Sequence, residues 1–312
     1  MVSDTGEVLA VDVGGTKLAV GRVDHGGRVV RKLHVPTPRN VDAEGLWRTL
    51  LSLVESVVDD RPVAAVGVGC GGPMRWPAGE VSPLNIPAWR RFPLRRRLQE
   101  RFPDLPVRVH NDAVCLAVGE HWRGAGAGVG GFLGMVVSTG VGGGVVVDGR
   151  VVDGLTGNAG HVGHVVVDPH GPPCACGGSG CLEAIASGPA VAAWAQREGW
   201  HTAGEVSGRA VAEDAARGHP VAIAALTRSG QALGVAIASV VHLLEIEAVA
   251  VGGGLSQAGP LLFGPMQEAF RRHARMPFAR DCRIVPAALG QDAGLVGAAA
   301  LVLAGDRYWS GN

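Results

Sequence analysis

Four side chains stand close enough together in the chain to hold a soft metal ion. They are His164, Cys174, Cys176 and Cys181, ten, two and five positions apart, with Gly177, Gly178 and Gly180 among the cysteines. Three thiolates and one imidazole complete a tetrahedron, so zinc is the expected ion, and four protein ligands leave no position for a reacting water. The site is therefore read as structural. Pro172, Pro173 and the glycines make this stretch a poor place for packed core, which argues against three unrelated buried thiols. A metal here would pin the loop that carries His161 and Glu183.

Three glycine clusters suggest a second chemistry. In Asp12-Val-Gly-Gly-Thr-Lys17, Gly14 and Gly15 let backbone N–H groups approach phosphate oxygens, the Thr16 hydroxyl can donate, and Asp12 can hold magnesium through water, with Lys17 closing the motif. The segment from Ser138 to Gly144, with Thr139, Gly140 and Gly142, offers a second such turn, and two turns facing one another across a cleft could clamp the ends of a triphosphate. Gly252, Gly253 and Gly254 would let an adenosine lie against bare backbone. ATP with Mg2+ is the expected ligand. Each cluster also has a plain structural reading, as a hairpin turn or a strand-to-helix turn. Asn111 and Asp112 follow the apolar run 107–110 and begin a helix, which puts them at a strand's C-terminal edge, where such folds bind ligands. There Asp112 could accept the proton of an attacking hydroxyl while Asn111 holds a neighbouring one. The plainer reading of Asp112 is a helix N-cap.

The elements that must position these residues are legible from periodicity. Residues 8–13, 18–23 and 29–35 read as three strands, with the glycine turn joining the first two. A Walker loop or a dinucleotide fingerprint must run from strand into helix, so neither fits. A helix over 42–59, with Leu46, Leu50, Leu53 and Val57 on one face, precedes strands at 63–69 and 107–110. The plan then recurs: strand 132–138, glycine turn 139–144, strand 145–152. Helices are expected at 189–197, 206–216, 220–245, 260–275 and 291–304, with one more strand at 248–251. A meander giving way to alternating helices and strands, twice, predicts an α/β actin-like (ribonuclease H-like) fold of two lobes around a cleft. The expected lobes are 1–114, completed by the helix 291–304, and 115–290.

Composition excludes several classes. The 312 residues are 47% hydrophobic and 18% charged, which suits globular lobes with a substantial core. Lys+Arg and Asp+Glu both total 28, so nothing tracks a phosphate backbone and nucleic acid is not an expected partner. The first residues lack the pattern of a secretory signal, and no apolar run free of Gly and charge reaches spanning length, so a cytoplasmic protein without a membrane partner is expected. Cys70, Cys115 and Cys282 are scattered singly and read as reduced core thiols.

The segment from Ser138 to Gly188, the VDVGGTK start, the HNDA at 110–113 and the VGGG at 251–254 together resemble the ROK family over essentially the whole length. The resemblance implies transfer of the ATP γ-phosphate to a sugar 6-hydroxyl by a homodimer. Asp112 then matches the catalytic base, and Asn111, Asp112, Glu183 and His164 match sugar contacts, with Gly72 and Asn85 in matching loops. Glucokinases of this family read Ala-Gly-Glu-x-Gly-His where this chain has Ala159-Gly-His-Val-Gly-His164. His161 thus replaces a sugar-binding carboxylate, as in the bacterial N-acetylmannosamine kinases that this segment resembles. A carboxylate only accepts, whereas neutral imidazole offers one donor and one acceptor, which an N-acetyl amide could use. N-acetylmannosamine and glucose both remain open. The family also includes sugar-sensing repressors with an N-terminal winged helix, for which a phosphate loop starting at Asp12 leaves no room.

Overall fold

The computed structural model describes residues 6–59 and 61–311, which divide into two compact units. Of these, the first comprises 6–59, 61–128, 144–160 and 291–311, the second 129–143 and 161–290.

In the first unit, β1 (Val8–Val13), β2 (Lys17–Val23) and β3 (Val29–Pro36) form an antiparallel meander. α1 (Ala43–Val58) and β4 (Val66–Cys70) follow, then a small sheet of β5 (Met74–Arg75), β6 (Glu80–Val81) and β7 (Phe92–Pro93). α2 (Leu94–Arg101), β8 (Val107–Asn111) and α3 (Asp112–Arg123) complete the alternation. The sheet order is β3-β2-β1-β4-β8, with β1, β4 and β8 parallel. Register puts Asp12 opposite Gly69, and Gly69 opposite His110, so the ends of the three parallel strands share one edge.

α1 starts where the Asp42 carboxylate accepts the Gly45 N–H at 2.7 Å, an N-cap of the kind that contributes ~1 kcal/mol. Its expected face is buried: Leu46, Leu50, Leu53 and Val57 pack on the sheet, each contributing ~1.5–3 kcal/mol. A buried cation stabilises the exit. Arg22, 3% exposed, donates to the carbonyls of Val58, Arg61 and Pro62 at 2.9, 2.9 and 3.1 Å and pairs with Glu7.

The C-terminal helix Ala293–Leu303 belongs to this unit and packs on α3 at backbone contact. A Cβ at Gly297 would lie 1.6 Å from the Cys115 carbonyl oxygen, so only glycine permits the approach. That packing holds α3 with the first unit, past the expected boundary at residue 114. Residues 144–160 also belong to it, because Asp153 bonds His110 and the Asn158 side chain bonds the Met74 backbone on both sides.

A second sheet repeats the plan. It runs β11-β10-β9-β12-β13, from β9 (Phe132–Val137), β10 (Val141–Val147), β11 (Arg150–Val151), β12 (Ala248–Gly252) and β13 (Arg283–Pro286), the same order of first to fifth strand as in the other sheet. The fold is actin-like. The glycines expected as a turn at 139–144 are mostly strand. β10 begins at Val141, because a Cβ at Gly143 would meet the Gly134 carbonyl oxygen at 2.7 Å and the bare backbone instead pairs closely. The chain turns at Asp148-Gly149, both with positive φ, so the expected strand 145–152 is broken there. α4 (Leu182–Ala186), α5 (Gly188–Arg197), α6 (Gly208–Ala216), α7 (Pro220–Leu244) and α8 (Pro260–His273) follow. α7 is long and apolar enough to cross a membrane by length and composition, yet it buries residues such as Leu226, Leu233 and Ile237 and packs closely on α8. α2, α4, β13 and the small sheet were not legible from periodicity, being too short to display a period.

Candidate active site and metal centre

The first unit gathers carboxylates at one sheet edge. The β1–β2 turn is closed by Gly14 N–H donating to Lys17 O at 3.0 Å, and the Thr37 hydroxyl donates to Gly14 O at 2.7 Å. Thr16 is exposed at the tip, its carbonyl held by Thr37 N–H at 3.0 Å. A Cβ at Gly15 would lie 2.4 Å from Asn85 Nδ2, so Asn85 sits directly against this turn. From Gly71 the same construction reaches Asn85 Oδ1 at 3.4 Å and Asp112 Oδ2 at 3.8 Å. Gly15, Gly71, Asn85 and Asp112 are thus neighbours, though their sequence positions are dispersed. Gly72, next in this loop, accepts from Leu84 N–H at 3.2 Å, which fixes the segment carrying Asn85.

Asp12 faces the same space. Burial, then the charge of Asp112, lift its carboxyl from 3.8 to about 7, against the pull of Lys17. Asp112 is also pushed up by burial, opposed by the N–H groups of Ala113 and of its own residue. Two carboxylates disfavouring each other's charge beside one lysine fit a hydrated divalent cation, and an elevated carboxyl is a better proton acceptor near neutrality. The C-terminal helix leaves room for this arrangement, since a Cβ at Gly294 would lie 2.8 Å from Asp12 Oδ2.

The N-cap of α3 is Asn111, not Asp112. Asn111 Oδ1 accepts from Ala113 and Val114 N–H at 2.9 and 3.3 Å. Its oxygen is committed to the helix, leaving Nδ2 as the group that can donate to a ligand. Asp112 occupies the first helical position and also accepts from Ala113 N–H, at 2.8 Å.

A buried chain behind this pair escaped the sequence reading. Asn111 N–H donates to His110 Nδ1 at 2.8 Å, which makes Nε2 the protonated nitrogen, and Nε2 meets Asp153 Oδ1 at 2.8 Å. Ser310 donates to Asp153 Oδ2 at 2.6 Å. His110 is fully buried, beside Trp76 and Trp309. The only sequence signal was His110 within HNDA, because Asp153 lies 43 residues further on and Ser310 another 157 beyond it.

The second unit presents backbone instead. Ser138, exposed Thr139 and Gly140 turn between β9 and β10, with Ser138 N–H donating to Gly140 O at 2.9 Å, while Gly142 lies within β10. β12 pairs parallel with β9, so Gly253 and Gly254 emerge at the same edge. Gly253 has φ +93°, and a Cβ there would lie 2.3 Å from Val137 O, so no other residue fits without displacement. Gly254 approaches the Ser138 hydroxyl, the distance from its Cβ position being 3.8 Å. The second and third glycine clusters are therefore adjacent.

His164, Cys174, Cys176 and Cys181 converge, all ligand atoms within 4.8 Å of one another. Cys176 Sγ and Cys181 Sγ are 3.7 Å apart, and Cys174 Sγ and His164 Nδ1 3.8 Å. Metal–sulfur bonds of about 2.3 Å require tetrahedron edges of about 3.8 Å, so the four atoms fit a zinc ion. The backbone already holds that shape: Cys174 N–H donates to Gly178 O at 2.8 Å, Gly177 N–H to Cys174 O at 3.0 Å, and bridges join Val166 to Cys181 and Pro173 to Ser179. The His161 ring stacks on that of His164, centroids 6.2 Å apart. Glu183, two residues after Cys181, accepts Val141 N–H through Oε2 at 2.9 Å.

The ROK family model matches residues 8–304. The chain is similar to a glucokinase of Thermotoga maritima, 34% identical over 95% of this chain and 97% of that one. It is equally similar to an N-acetylmannosamine kinase of Citrobacter koseri, 36% identical over 96% and 99%. Among solved structures it matches a ROK family glucokinase from Streptomyces griseus in complex with glucose and AMPPNP, with TM-score 0.84 and 34% identity over 96% of this chain and all of that one. With the family model spanning nearly its whole length, the chain belongs to the ROK family.

Proposed function

We propose that this protein is an ATP-dependent sugar kinase that phosphorylates the 6-hydroxyl of N-acetylmannosamine. Asp112 carries the reading. It is a carboxylate lifted by burial at the C-terminal edge of β8, with Asp12 and Asn85 beside it. It accepts the proton of the sugar hydroxyl as that oxygen attacks phosphorus, and Asn111 Nδ2 orients a neighbouring hydroxyl. Asp12 would hold magnesium, which when bound with ATP would supply neutralisation of the charge on the transferring phosphoryl group. Gly14, Gly15, Thr16 and Lys17, with Thr139 and Gly140, donate to phosphate oxygens, and Gly253 and Gly254 take the adenosine. Gly142, assigned to the nucleotide with them, lies within β10 directly after this turn.

Gly72, Asn85, His161, His164 and Glu183 contribute to the sugar site, and zinc on His164, Cys174, Cys176 and Cys181 orders the loop that carries three of them. His161 favours the N-acetylated sugar because imidazole can donate to a carbonyl or accept from an amide, where a carboxylate only accepts. Glucose is the second reading, favoured by the relatives named glucokinase. A cytoplasmic homodimer completes the proposal, with light scattering as its check.

The deciding measurement is kcat/KM for N-acetylmannosamine, N-acetylglucosamine and glucose at equal concentration. N-acetylmannosamine should be the best substrate, and His161→Glu should move preference towards glucose with little change in maximal rate. Sites built around a particular polar group can discriminate by up to ~10⁴-fold. Glucose as best substrate would remove the amino-sugar assignment and leave the kinase assignment standing; no phosphorylation of any sugar would remove both.

A further inference from the structure

Within the second unit, the Glu183 carboxylate is bound to the very turn to which phosphate binding is assigned. Oε2 accepts Val141 N–H at 2.9 Å, and the Cβ position of Gly140 lies only 2.7 Å from the same oxygen. The other side of the turn is held by the same helical corner, since Gly188 N–H at the start of α5 donates to Ser138 O at 2.8 Å. Glu183 and Gly188 sit at either end of the step from α4 to α5, joined by Ser187 N–H donating to Glu183 O at 3.2 Å. The turn therefore has two anchors, one of them a side chain with a second carboxylate oxygen left to act elsewhere.

We infer that Glu183 is a positioning residue for the Ser138–Val141 turn as well as a sugar ligand, so that sugar and nucleotide affinity are coupled through one carboxylate. The inference builds on the assignments of Glu183 to sugar and of this turn to phosphate. Sugar hydroxyls donating to the carboxylate restrict its rotation, and a fixed carboxylate fixes Val141 N–H and the turn that precedes it. An ordered turn loses less freedom when phosphate binds, so each ligand improves the affinity for the other by the same factor. Gly140 is required because a methyl group there would displace the carboxylate from its place beside the turn.

The test is calorimetric binding of Mg2+ and the non-hydrolysable analogue AMPPNP in the absence of sugar, with sugar KM measured in parallel. Glu183→Ala should weaken analogue binding about 10-fold, the scale of one hydrogen bond to a charged acceptor. Glu183→Gln should stay within about 2-fold of the parent, because the amide oxygen still accepts from Val141, while both variants raise sugar KM. Analogue binding unchanged in Glu183→Ala, or weakened equally in both variants, overturns the anchoring role, whatever happens to the sugar. Weakened analogue binding with unchanged sugar KM keeps the anchor and instead removes Glu183 from the sugar site. Should Glu183→Ala fail to fold, judged by zinc content and melting, Gly140→Ala decides: it lies in the nucleotide turn yet should raise sugar KM several-fold, and an unchanged sugar KM would refute the coupling.

Discussion

The two sheets share one strand order but do different chemistry at their edges. In the first unit the ends of β1 and β8 present carboxylates, Asp12 and Asp112, in a space backed by glycines and by the buried His110–Asp153–Ser310 chain. In the second the ends of β9 and β12 present turns of bare backbone, and the side chains with chemistry sit on an irregular loop shaped around four metal ligands. The first site is preorganised by core, because burial is what lifts its acids. The second has little core beneath residues 166–180, most of which are exposed or half-buried, so backbone hydrogen bonds hold it and the proposed zinc would add the tether that packing does not supply. One topology can therefore support a site by packing in one copy and, with the proposed zinc bound, by coordination in the other.

The contrast is broken most severely by removing the acid. Asp112→Asn should lower kcat at least ~100-fold, the usual scale for a positioned base, with folding and sugar affinity retained because Asn111 keeps the helix cap. Steady-state kinetics and a melting curve check both parts, and near-normal turnover would reduce Asp112 to a structural residue.

A smaller effect should come from the metal, and it should be confined to the second unit. Cys176→Ser, or chelation, should release zinc and raise sugar KM about 10-fold or more, since the loop loses its tether. Hydrogen exchange should show new opening around 164–183 and none at β1, β4 and β8. Loss of protection spread evenly over both sheets would mean that the two sites are not separately supported.

The mildest test is pH, and it reads only the first unit. Asp12 titrates near 3.8 when unfolded and at about 7 when folded, so the folded state retains a proton that the unfolded chain has released. Metal-free protein should therefore lose stability as pH rises from about 4 to about 7 and change little above that. Asp112 shifts in the same direction and Lys17 opposes. Asp12→Asn should flatten most of the slope, and Mg2+ should stabilise chiefly at the upper end. A melting temperature that climbs across this window would contradict the burial of Asp12.

Much of this was determined by local sequence, and the reason is range. The face of α1 follows from apolar spacing, the metal ligands from a window of 18 residues, and the double meander from glycine clusters between β-branched runs. What failed to read locally depended on atoms brought from far away. The run 141–144 became strand because Gly134 leaves no space for a side chain, not because glycine favours strand. Asn111 took the cap that sequence offered to Asp112, freeing Asp112 for chemistry, and its amide was secured by a histidine whose partner is Asp153, itself bonded by Ser310. The anchoring role proposed for Glu183 was likewise invisible, since a hydrogen bond to a backbone amide 42 residues earlier leaves no mark in residue type. Sequence determines which groups can act, because that is a property of side chains; tertiary structure decides which of their atoms are already occupied, because donors and acceptors are committed only when distant backbone arrives.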